Sequence, residues 1–198
     1  MSVATVTVFE PEVRWGPSSR GRVGMYCLIA AEAAIFTIFV VAYLFYVGKS
    51  LSGPTPREVL HMPVLFTICL LSSSWTIHLA VRSLRNAKTS AFACWWFLTL
   101  FLGSTFLAGT VVEWRHLIYE EGLTIQTNLF GTTYYSLVGL HAFHVLMGLL
   151  ALCTVWLFAM FGKVKNEHAE RVDTLALYWH FVDTVWVVVF LVVYIIGR

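Results

Sequence analysis

Residues 178–196 read YWHFVDTVWVVVFLVVYII, and two groups capable of proton chemistry, His180 and Asp183, stand at the head of an otherwise apolar run. On a helix that spacing puts both on one face with Val187, Leu191 and Tyr194. The pair fits a local hydrogen bond, in which the carboxylate orients the imidazole and each offsets the other's burial. A second spacing of the same kind is His141 and His144, which share a face with Gly148 and Ala151. It is either half of a metal site, since helix bundles use i,i+3 pairs as ligands, or two groups that hydrogen-bond across helices. Glu32 lies in AAEAA, a carboxyl among small residues. An acid at the centre of a membrane helix costs roughly 2.5–3.5 kcal/mol, so Glu32 must be neutral or matched by a partner. No partner for it is evident in the chain, which points to another subunit or a chain of waters. Glu113, in VVEWRH, falls at the outer end of its apolar run, where it is expected to pair with Arg115 beside Trp114. Glu113, Trp114 and Trp179 are read as interfacial.

The elements that position these groups follow from composition. The chain has 198 residues, 59% hydrophobic and only 12% charged, too few charges to cover a soluble domain of that size. A hydrocarbon layer of about 30 Å takes roughly 20 apolar residues per helix. Five segments qualify, at 23–47, 61–81, 90–112, 130–160 and 174–196, the fourth long enough to tilt or project. The expected fold is all-α, a polytopic membrane protein with one five-helix transmembrane bundle (23–198) after a polar N-terminal tail (1–22). Measured from the span edges, His180 and Asp183 lie about 9 and 14 Å deep and Glu32 about 14 Å.

Lys and Arg number nine in the tail and the 2–3 and 4–5 loops, against four on the other side. The basic excess puts the N-terminus in the cytoplasm and the C-terminus outside. The net charge of +2 gives no reason to expect a nucleic-acid partner. Cys27, Cys69, Cys94 and Cys153 are widely spaced inside apolar runs, which suits neither a disulfide framework nor a thiolate metal site. There is no phosphate loop, nucleophile elbow or HExxH. Two other classes compete with this reading: a bis-imidazole haem protein using His78 and His180, and a transporter with Glu32 and Asp183 as a proton relay. Bulky Trp179 and Phe181 argue against the first, and the absence of inverted repeats against the second.

Several stretches together resemble subunit III of the haem-copper oxidases. YWHFVDTVWVVVF (178–190) is similar to the family's last helix, and GTTYYSLVGLHAFHVLMGL (131–149) to the helix before it, with its GxHxxHVxxG pattern. VVEWRHLIYEEGLTIQTNLFG (111–131), IAAEAAIFTIFVVAYLFY (29–46) and GPTPREVLHMPVLFTICLLSSS (53–74) extend the likeness from about residue 25 to the end. The length is that of the short bacterial, five-helix form. The resemblance implies an accessory subunit of a respiratory terminal oxidase in the bacterial inner membrane. It would have no catalytic centre or metal of its own, haem and copper belonging to subunits I and II, which reduce oxygen to water and pump protons. It further implies packing on subunit I, bound phospholipid, and a place in a respiratory supercomplex. The electron donor of such an oxidase is cytochrome c or a quinol, and subunits attached to nitric oxide reductases are a related variant. Glu32 carries over as the buried acid, and His141, His144, His180 and Asp183 as polar pairs that lock the last two helices. Ala31 and Ala33 flank Glu32 where the family often has Ser before it and bulky residues after. The basic residue some members use for lipid headgroups has no clear match near Phe158 or Lys163.

Overall fold

The computed structural model describes residues 20–50, 53–60 and 62–197. The tail expected over 1–22 lies outside the described residues up to position 19, and the first helix already begins at Arg20. Four long helices, α1 (Arg20–Tyr46), α3 (Val64–Arg85), α4 (Thr89–Tyr119) and α5 (Leu129–Met160), and a fifth, α6 (Ala169–Phe190), taken with its flanking turns over Asn166–Ile196, are each long and apolar enough to cross a membrane. A single turn, α2 (Pro56–Val59), lies in the first connection, and α6 ends in π-helical turns over Leu191–Ile196. No strand occurs among the described residues.

The helices outrun the apolar segments wherever a polar turn can continue outside the lipid. α4 extends to Tyr119, seven residues beyond the expected end, because Glu113, Arg115 and His116 stop the hydropathy but not the helix. α3 starts only after Pro63 and ends with Arg82 and Arg85 in its last turn, which suits a helix C-terminus. α5 stops at a left-handed glycine, Gly162 (φ 66°), and the Lys163 N–H returns to the Phe158 carbonyl at 3.0 Å.

α3 and α4 form a tight hairpin, and α5 and α1 continue the row. α6 packs against α1, α3 and α5 at once and so joins the two ends of that row, keeping an exposed face with Val187 and Val188. Lipid supplies no hydrophobic drive between helices, so the packing relies on close fit and small residues. Trp96, Trp179, Trp186, Phe106, Tyr134 and Tyr194 fill the interior. Hydroxyls on the outer surface bond back to their own helix, as Thr37 does to the Ala33 carbonyl and Thr184 to that of His180.

At the start of α5, Asn128 is the N-cap. Its Oδ1 accepts from the Gly131 N–H at 2.8 Å and its Nδ2 donates to the Pro54 carbonyl at 3.2 Å. One side chain thus caps a helix and ties it to the first interhelical connection. Asn128→Ala should lower stability by about 1–2 kcal/mol, read as a drop in melting temperature in detergent. A variant that melts like the parent would show that the cap is redundant.

Candidate functional site

Glu32, on α1, faces α5. His144 places Nδ1 2.7 Å from the Leu140 carbonyl, so Nδ1–H is committed there, and Nε2 lies 3.0 Å from Glu32 Oε2. One proton must therefore be shared across the Nε2–Oε2 contact, as an imidazolium with a carboxylate or as a neutral acid with a neutral base. The Phe36 ring, 4.9 Å from that of His144, closes one side. This overturns the expectation that Glu32 finds no partner within the chain. His144 stands 112 positions away, and only the α1–α5 packing joins them.

His180 and Asp183 do not bond to each other as expected. Both meet Ser74 on α3: Ser74 Oγ lies 2.9 Å from His180 Nδ1 and donates to Asp183 Oδ2. The stripe of Trp179, Asp183 and Trp186 on α6 runs along a line of hydroxyls on α3. The Trp179 indole donates to Ser73 at 2.8 Å and that of Trp186 to Thr67 at 3.1 Å. Asp183 Oδ1 is buried without a partner. At the N-terminal end of the bundle, Asp173 accepts from Arg22 and lies 2.9 Å from Arg85, binding α1, α3 and α6 together. Between them is a small polar cavity of about 100 Å³, lined by Arg22, Tyr26, His78, Asp173 and His180 among others. His78 and His180 do meet there, but the space holds a few waters and not a porphyrin.

His141 departs from its expected role as an interhelical hydrogen-bonding group. It is fully buried, neither ring nitrogen has a hydrogen-bond partner, and the rings of Trp186 (4.9 Å), Phe106 (5.8 Å) and Phe36 (6.4 Å) surround it. The two histidines of the i,i+3 pair therefore differ in role: His144 bonds to Glu32, whereas His141 packs among rings, with Phe36 beside both. No group of three or more His, Cys, Asp or Glu side chains able to hold a metal ion occurs among the described residues. Glu113 pairs with Tyr194 and not with Arg115: the Tyr194 hydroxyl donates to Oε1 at 2.9 Å. Trp114 is half-buried against Tyr135, whereas Trp179 lies at the centre of the bundle and not at an interface. Gly103 and Gly148 make room for it, since a Cβ at either would come within 2.9 Å of the indole.

Residues 18–198 match the family model described as cytochrome c oxidase subunit III. The chain belongs to that family. It is 38% identical over 177 residues to a cytochrome c oxidase subunit 3 from Synechocystis sp., covering 87% of this chain and 74% of the relative. It is 33% identical over 176 residues to that of Bacillus sp. (strain PS3), covering 88% and 84%. A probable quinol oxidase subunit 3 from Staphylococcus saprophyticus is 29% identical over 180 residues, covering 89% of each chain.

In this subunit III chain, the residues that sequence reasoning missed are chiefly hydroxyls. Ser73 and Ser74 stand in SSS (72–74) inside an apolar span, a signal that could have been read as polar contacts for another helix. Thr67 and Tyr194 gave no such signal. Each is one polar atom in an apolar stretch, and its partner lies far away in sequence.

Proposed function

We propose that this chain is the non-redox accessory subunit III of an aerobic terminal oxidase. It packs on the catalytic subunit I beside subunit II, while haem and copper reside in those partners and reduce oxygen to water. Its part is to hold the complex together, bind membrane phospholipid and support proton and oxygen access during turnover. Family membership over residues 18–198 carries this reading. The arrangement of α1 supports it: few of its side chains are covered by the rest of the chain, and Glu32 stands at its junction with α5. In this reading the five helices form one membrane domain after a polar tail. The basic end faces the cytoplasm, and the C-terminus lies on the far side of the bacterial inner membrane. Glu32 is the functional acid, and the polar contacts of His144, His180 and Asp183 lock the last two helices. Cytochrome c is the donor favoured by the names of the two more similar relatives described, and a quinol the alternative favoured by the Staphylococcus relative. Membership of a respiratory supercomplex belongs to the same reading.

The test is to tag the chain, extract it gently and record a reduced-minus-oxidised spectrum with identification of the co-purifying proteins. Haem and copper should follow larger partners and disappear when this chain is stripped from them. Haem that stays with this chain alone would overturn the proposal.

A further inference from the structure

The contacts around Ser74 do more than join two helices. A serine hydroxyl has one proton, and here it goes to Asp183 Oδ2. Towards His180, Ser74 Oγ is therefore an acceptor, so Nδ1 carries the imidazole proton in that contact. In the neutral ring Nε2 is then a free acceptor, and His180 lines the polar cavity at the N-terminal end of the bundle. The result is an oriented chain of hydrogen bonds from a cavity able to hold water to a carboxylate that is 3% exposed. At the inner end the negative charge is poorly matched: one donor reaches Oδ2, and Oδ1 has no partner.

We propose that Asp183 is a proton-binding site that exchanges with the N-terminal side of the bundle through Ser74 and His180. A hydronium in the cavity gives its proton to His180 Nε2. The Nδ1 proton passes to Ser74 Oγ as the Ser74 proton passes to Asp183 Oδ2. One proton has then been taken up, the carboxylate is neutral, and His180 is neutral again in its other tautomer. Release runs the same steps backwards. The charged and titratable groups around the path are Arg22 and Tyr26 from α1, His78 and Arg85 from α3, and Asp173 on α6 itself. The α5 histidines take no part, since His141 lies against Trp186 and His144 against Glu32. This site is separate from the Glu32–His144 contact and does not depend on which oxidase the chain joins.

The experiment is infrared spectroscopy of the tagged chain, purified with whatever partners it retains. A carboxylic-acid C=O band that is lost in Asp183→Asn and titrates with pH is the expected signature. On transfer to heavy water its deuterium shift should develop at least tenfold more slowly in Ser74→Ala and in His180→Gln, and at the parental rate in Ser74→Thr, which keeps the hydroxyl. Should Ser74→Ala fail to assemble, His180→Gln breaks the other link and supplies the same reading. The proposal is overturned by the absence of any band sensitive to Asp183→Asn between about pH 5 and 9. Exchange that is equally fast with either link removed would overturn it as well.

Discussion

Trp179→Ala should be the most damaging single truncation in this bundle, with a loss of about 3–5 kcal/mol. The indole is fully buried and wedged against two glycines on different helices, Gly103 of α4 and Gly148 of α5. It also donates to Ser73 of α3. Four helices thus meet on one ring. In lipid the cost comes almost wholly from lost contacts, because no neighbouring helix can collapse into a space shaped by glycines on both sides. The converse change makes the same point. In Gly148→Leu the new Cβ would begin 2.8 Å from the indole, and a rigid ring held on its other face cannot withdraw. Both variants should lower the melting temperature of the detergent-solubilised chain sharply, whereas Trp179→Phe should fall between them and the parent. A parental melting curve for Trp179→Ala would mean that α6 is held chiefly by something other than this ring.

The second large effect is expected at the α1–α5 contact. Glu32→Ala and His144→Ala should each destabilise by about 1–3 kcal/mol, since each leaves one polar partner without its match inside the bundle. Glu32 keeps some exposure, its side chain being 23% accessible, which places the effect below that of a fully enclosed pair. The informative quantity is the coupling. The double variant should lose clearly less than the sum of the single losses, because a hydrophobic contact replaces two orphaned groups. Strict additivity would show that the 3.0 Å contact contributes nothing of its own. Glu32→Gln separates hydrogen bonding from charge: if the proton is shared as neutral acid to neutral base, the amide donates to Nε2 and stability is largely kept.

Much of the architecture was legible in the chain because bilayer thickness imposes it. The five spans follow from apolar length alone; their ends moved outward where helices continued into polar turns, most visibly from Glu113 to Tyr119 in α4, and inward at Pro63, after which α3 starts. The acids and histidines worth attention were also legible, since a charge in hydrocarbon is costly wherever it sits. Their partners were not. Spacing along one helix suggested that His180 pairs with Asp183, yet both meet Ser74 of α3; His144 makes the contact across helices that one reading of its spacing expected, and His141 makes no hydrogen bond. Local spacing reveals which groups share a face, but what faces them depends on how helices far apart in sequence are arranged. Trp179 misled for a related reason. A tryptophan near the end of an apolar run usually marks an interface, and the glycines that instead receive it lie on two other helices.

The helix that joins the two ends of the row, α6, is also the one that leaves the ribosome after the other four. Until it arrives, Ser74 of α3, Glu113 of α4, and Arg22 and Arg85 at the basic end lack the partners described for them in the finished fold, for each is met by a residue of the fifth span. The only long-range acid–base contact independent of it is that of Glu32 with His144, among the contacts described above. Insertion should therefore pass through a stage in which four helices are in the membrane, α3 and α4 already paired, as a laterally open set. Release of the last one closes it in a single event, much as a keystone closes an arch. A nascent chain stalled before that point would present unpaired polar groups within the bilayer, the kind of feature by which quality-control proteases recognise unfinished membrane proteins.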